Sequence, residues 1–339
     1  MREAASQIAA VAAALITVLW PVLPALEASE QVTIRFEEWD VPGGAATFPH
    51  DPAFAPDGGG WFTAYRGNTL GRVDPRTGQF RQFRLPTNDT GPHGLVADTS
   101  GNIWYTGYDA ALIGKLDPTT GNVTEYKMPD PAARGPHTPI FDRRGILWFT
   151  VQTGNFVGKL DPASGVIALR QPSTPQALPH GIAINAQDIP FFAMFGTNKI
   201  GRIDPKTMEI TEYVLPEGAR PRRIAVTPDD AIWYVDHARG ALSRLDPKTG
   251  VVKEFRSPGG PESAPTSIAV TSDGIIWYSE SGVKPNTLVR FDPKDGTTKS
   301  WPIPSGGGIV RHMVAAPDGT LWLVCSGSGK IARVQIIRS

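Results

Sequence analysis

One aromatic residue recurs along this chain at a nearly fixed interval: Trp61, Trp104, Trp148, Phe191, Trp233, Trp277 and Trp322. From Trp61 to Trp322 is 261 residues over six steps, a mean of 43.5. Each interval carries four short extended runs, as in residues 179–216, where HGIAI, PFFAM, KIGRID and ITEYVLP alternate with turn signals. Apolar, β-branched and aromatic runs bounded by Asp-Gly, Asp-Pro and Thr-Gly read as antiparallel strands. A period of about 40 to 45 residues with four strands per copy is that of a β-propeller.

A third-strand marker, Asp-Pro, falls at Asp74, Asp117, Asp161, Asp204, Asp246 and Asp292, once fewer than the aromatic marker. The seventh copy stops at IARVQIIRS before an outer strand can follow, whereas TIRFEEWDVP, residues 33–42, resembles the outer strands VTEYKMP and ITEYVLP but precedes the first full copy. Pairing that early strand with the last copy removes two open sheet edges. The expected fold is therefore all-β: a seven-bladed β-propeller of four-stranded antiparallel blades, closed by an N-terminal outer strand and spanning residues 31–339 as a single domain.

Residues 1–28 stand apart, with Arg2 near the start, an apolar run from Ile8 to Leu23 and small residues toward Ala28. This reads as a signal peptide, with an uncleaved anchor as the alternative, so the expected address is periplasmic or secreted and membrane contact arises only if the segment is retained. Lys and Arg total 33, as do Asp and Glu, and no basic run appears, which argues against a nucleic-acid partner. The one cysteine, Cys325, cannot form an internal disulfide and reads as a small buried residue. A monomer is expected.

In an antiparallel blade the start of the first strand lies beside the end of the second, so the Pro-His that opens most copies converges on one mouth of the central axis. The residues read in that register are His50, His93, His137, His180, Arg222, Thr266 and His312, and His237, after a second strand, belongs to the same face. Imidazoles ligate metals and serve as general bases near neutral pH. The competing reading is a duplicated structural histidine whose nitrogens bond neighbouring backbone groups. Arg222 in the ring favours neutral imidazoles and suits the mouth to an anionic group or a metal.

The third position beyond the marker holds Ala64, Gly107, Val151, Met194, Asp236, Glu280 and Cys325. Asp236 and Glu280 are the carboxylates of that set, candidates for acid/base work or a metal, or else for ion pairs with Arg222, Arg223 or Arg239. The recurrent DPxTG turns read as scaffold. Phosphate-loop, GxSxG and zinc-type Cys/His spacings are absent from the sequence.

The wording PHGI, the W-F/Y-T strand, IGRID and TEYxLP resembles the virginiamycin B lyase (streptogramin lyase) family over about residues 33–336. The resemblance implies a lyase that linearises a cyclic depsipeptide antibiotic by elimination, hence antibiotic resistance, with Mg²⁺ as cofactor and a histidine removing a proton α to the ester carbonyl. Carried over, the family's late Pro-His histidine matches His312, with Arg311 in place of the proline. Its preceding glutamate falls on Val310, its last-blade glutamate on Ser326, and the histidine of the blade before on Thr266.

Three readings follow from these residues. The first is a carbon–oxygen lyase with His312 as base and Glu280 and Asp236 as metal or acid groups. The second is a transition metal held by His50, His93, His137, His180 and His312. The third is a non-catalytic module gripping a small-molecule or peptide-like ligand on the histidine face.

Overall fold

The computed structural model describes residues 32–338. The leader-like segment, residues 1–28, lies outside them. Seven four-stranded antiparallel sheets are arranged as blades. Blades 1 to 6 are consecutive meanders over residues 49–84, 92–127, 136–170, 179–214, 221–256 and 265–302. Blade 7 takes three strands from residues 310–338 and its fourth from Val32–Asp40. That strand pairs with Lys330–Arg338 over nine residues without a register break, from Val32 opposite Arg338 to Asp40 opposite Lys330. The closure expected from the sequence is thus the observed one.

The periodic aromatic explains why the blades stand together. Trp61 of blade 1 packs with Leu95, Ile103 and Tyr105 of blade 2, and Trp104 packs with Leu147 and Phe149 of blade 3. The pattern repeats around the ring until Trp322 of blade 7 meets Phe62 and Val73 of blade 1. Burying each of these six tryptophans to within 2% of full enclosure contributes several kcal/mol. The core is therefore seven inter-blade seams rather than one central mass, which leaves the axis free for polar side chains.

The glycine of the IGRID motif has a packing cause. Phe62 lies opposite Gly71 and Tyr105 opposite Gly114 across the second and third strands. A Cβ at Gly71 or Gly114 would come within 2.1 or 2.0 Å of that ring. The DPxTG turns are closed by their aspartates, with Asp74 Oδ1 accepting from the Arg76 N–H at 2.9 Å and Asp117 Oδ1 from Thr119 at 2.8 Å, the side-chain turn of a scaffold element. Gly114→Ala should destabilise the protein by about 1–3 kcal/mol in urea denaturation, because the buried Tyr105 ring has to leave its place.

Candidate functional site

Each first strand begins irregularly. Pairing runs from Pro49 opposite Ala64 directly to Pro52 opposite Phe62, so His50 and Asp51 sit in a bulge, and the same break recurs in all seven blades. A bulge leaves a backbone donor unpaired. The threonine of the W-F/Y-T strand repairs it: Thr63 Oγ1 accepts from the Asp51 N–H at 3.0 Å and donates to the His93 carbonyl of the next blade at 2.8 Å. Thr106 and Thr150 do the same for Gly94 and Thr138, donating to the carbonyls of His137 and His180. In blades 1 to 3 one hydroxyl thus ties neighbouring first strands at the level of the histidines.

The pairing also corrects the register of blade 7. Val310, opposite Cys325, occupies the proline slot, and Arg311 occupies the histidine slot. His312, read from sequence as a member of the histidine ring, stands one position further on, in line with Asp51, Thr138 and Arg223. The cause is the missing proline: with Val310 in its place, His312 was the nearest match to a Pro-His pair. The first ring is therefore His50, His93, His137, His180, Arg222, Thr266 and Arg311. All seven line a cavity of about 380 Å³, together with His237, Gln152, Phe195, Ser281 and Ile309.

Four imidazoles follow one another along one side, each tilted by 43° to 50° from the next, with centroids 3.8 Å apart from His50 to His93, 3.9 Å from His93 to His137 and 4.1 Å from His137 to His180. Among the described residues none of the four uses its ring nitrogens to bond backbone. His50 Nδ1 meets Asp51 Oδ1 at 2.8 Å, His137 Nδ1 meets Thr138 Oγ1 at 2.8 Å, and the Nδ1 atoms of His93 and His180 have no partner. Burial pushes all four below the ordinary imidazole range, with neighbouring imidazoles and guanidiniums adding to the effect. At neutral pH they are uncharged, each with a ring-nitrogen lone pair unprotonated, and weaker bases than an ordinary imidazole.

The second ring holds a buried ion pair. Arg223 donates to both oxygens of Asp51 at 3.0 and 3.1 Å and to Thr138 Oγ1 at 3.0 Å, joining blades 5, 1 and 3 across the axis. Burial works to raise the Asp51 carboxyl, but Arg223, His312 and His50 outweigh it and hold it well below the usual range. His312 is partly exposed but off the cavity wall, its Nδ1 is buried without a partner, and desolvation together with Arg223 pushes it down to about 3. Asp51 is not singled out by the sequence, and Arg223 is named there only as an ion-pair candidate for Asp236 or Glu280; strand alternation places the residue after each histidine away from the axis, and only the bulge brings it in.

Asp236 and Glu280 lie off the cavity wall. Asp236 Oδ1 accepts backbone N–H groups of Arg220 and Arg239 at 3.0 and 3.2 Å, and burial raises its pKa. Glu280 is held by the Ser257 and Thr287 hydroxyls and the Gly259 N–H. Cys325 is fully buried and its thiol is pushed up to about 12 by burial, an unreactive setting.

The donor set does not fit Mg²⁺. Among the described residues the cavity wall carries no carboxylate, and Asp51 is committed to Arg223 and His50. A hard divalent ion prefers anionic oxygens, which are absent from this wall. Of the five-histidine set considered for a transition metal, His50 and His93 join Asp51 in the one group of three or more potential ligands, among the described residues, whose atoms all lie within 4.8 Å of one another.

Two stability measurements check this network. Asp51→Asn or Arg223→Met alone should cost about 3–5 kcal/mol by leaving a buried charge unpaired, whereas the double substitution should recover most of that loss. Imidazoles held neutral in the fold titrate near 6.5 once unfolded, so the unfolded chain binds more protons in acid. Stability is then complete above about 6.5 and declines toward the depressed folded values, about 3 for His312, with the lowered Asp51 adding to the loss at the acid end. The thermal midpoint should fall steadily from about pH 7 to about pH 4, with a shallower slope in His93→Gln.

A model of the virginiamycin B lyase family matches residues 30–195 and 191–337. Selenomethionine-substituted virginiamycin B lyase from Staphylococcus aureus superposes with a TM-score of 0.81 at 24% identity, over 90% of this chain and 100% of that one. A streptogramin B lyase structure gives 0.80 at 27%, over 90% and 98%. A catalytically inactive variant of the Staphylococcus aureus enzyme with quinupristin gives 0.79 at 24%, over 90% and 100%. Among curated proteins none matches in sequence. Since the family model covers nearly all of the described propeller, the chain belongs to the virginiamycin B lyase family.

Proposed function

We propose that the chain is a metal-independent carbon–oxygen lyase that acts on a small or peptide-like ester in the axial cavity, with His50 as general base. The observation that carries this reading is the Asp51 and His50 pair at 2.8 Å. A carboxylate accepting the Nδ1 proton selects the tautomer with a free Nε2 and fixes the ring's direction. His50 lines the cavity and its lowered pKa keeps it unprotonated at neutral pH. Arg311, in the adjoining slot, is close enough to act electrostatically on His50.

In this reading His50 Nε2 takes the proton α to a carbonyl. The C–H electrons pass to an enolate whose oxygen is stabilised by the Arg311 guanidinium. Collapse restores the carbonyl, forms the α,β double bond and expels the β oxygen substituent as a carboxylate. The proton on His50 then returns to solvent. Export is part of the same proposal, supported by the leader-like residues 1–28.

Incubation with quinupristin followed by chromatography and mass spectrometry tests it. A ring-opened product of unchanged mass is expected, formed equally in the presence of a chelator and reduced about 10²- to 10⁴-fold in His50→Ala. His312→Ala, off the cavity wall, should retain most activity. Failure to open the ring, or opening that a chelator abolishes and Mg²⁺ restores, would sink the reading.

A further inference from the structure

The cavity wall is not uniform around its circumference. Over blades 1 to 4 it is built of successive tilted imidazoles, and the residue that follows each second strand there is large: Tyr65, Tyr108, Gln152 and Phe195, of which Gln152 and Phe195 line the cavity. At blade 6 both corresponding places are small hydroxyl side chains, Thr266 and Ser281, which line the cavity. The blades on either side carry Arg222 and Arg311 in the same first-strand slot. The result is a bay with hydroxyls at its back and a guanidinium on each flank.

Neither guanidinium has a counter-charge of its own. Arg222 is only 7% exposed and lines the cavity, yet among the described residues it forms no ion pair and donates no side-chain hydrogen bond. Arg311 lies 5.0 Å from the centre of the Phe48 ring, and its Nε is buried without a partner. Asp51, the carboxylate of the second ring, is already bidentate with Arg223. Keeping a guanidinium out of water with nothing to pair it costs stability, and that cost is offset when a complementary anion arrives. Burial pushes Arg222 down to about 9, so it remains charged at neutral pH.

We propose that this bay between Arg222 and Arg311 is a carboxylate-binding subsite, and that the ligand it takes joins the carboxylate to an apolar body resting on Ile309 and Phe195. The planar fork of a guanidinium matches the two oxygens of a carboxylate, and two forks facing one bay select a compact, planar anion. Phe195 and Ile309 line the same cavity and supply the apolar contact. N-acylated amino acids and peptide C-termini have this composition. The subsite requires only that the cavity binds ligand, so it stands or falls apart from the elimination chemistry.

The test is calorimetric binding of N-benzoylglycine, with its carboxamide analogue and inorganic phosphate as comparators. N-benzoylglycine should bind saturably, the carboxamide should bind at least about tenfold more weakly, and Arg222→Gln or Arg311→Gln should each weaken the carboxylate about tenfold or more. Arg84→Gln, on an exposed outer strand, should leave binding unchanged. Because Arg222 is unpaired, Arg222→Gln should also raise the thermal midpoint of the ligand-free protein while removing the stabilisation that N-benzoylglycine confers. Equal binding of acid and carboxamide, tighter binding of phosphate, no saturable binding of N-benzoylglycine, or a lower midpoint for ligand-free Arg222→Gln would each overturn the proposal.

Discussion

The functional face rests on a skipped pair at the start of every first strand. In an unbroken strand successive side chains point to opposite faces, so a histidine at the axis would send its neighbour into a seam between blades. The break between Pro49 and Pro52 lets His50 line the cavity while Asp51 reaches the ion pair with Arg223 across the axis. The Thr63 hydroxyl satisfies the freed Asp51 N–H and also holds the next blade's carbonyl. In blades 1 to 3 two consecutive residues thereby become available for chemistry while the freed backbone N–H keeps a partner.

Much of this was legible in the amino-acid sequence because repetition amplifies weak signals. A lone Trp-Phe-Thr strand is ambiguous, but the aromatic marker at Trp61, Trp104 and onward defines blades, seams and strand direction together, and direction alone places His50, His93, His137, His180 and His237 on one face. The closing strand was legible for the same reason, since residues 33–42 match an outer strand in the wrong place. Where the motif decays, reading from sequence slips by one residue: without a proline ahead of it, Arg311 was passed over for His312. Asp51 was hidden by the alternation rule itself, so Arg223 was matched with the wrong carboxylates, and Asp236 and Glu280 drew notice although backbone N–H groups and hydroxyls engage them locally.

The architecture separates packing from recognition. The tryptophans that hold blade to blade are buried in the seams, far enough from the axis that the first-strand slots can change identity without disturbing them. Arg222, Thr266 and Arg311 occupy the same backbone positions as four histidines, on the same bulge. A scaffold of this kind alters the charge of its cavity by single substitutions, here from imidazole to guanidinium on two blades, while the fold of the family is retained.

The strand Val32–Asp40 has a consequence for how the molecule is made. Its partner is the segment Lys330–Arg338, and the ion pair between Asp40 and Lys330 spans 290 positions of sequence. During synthesis the intervening blades can assemble one against the next as they emerge, but the earliest strand must wait, unzipped, until the last has been made. The circle therefore closes only once the last blade exists, and until then both rims of the growing arc are bare.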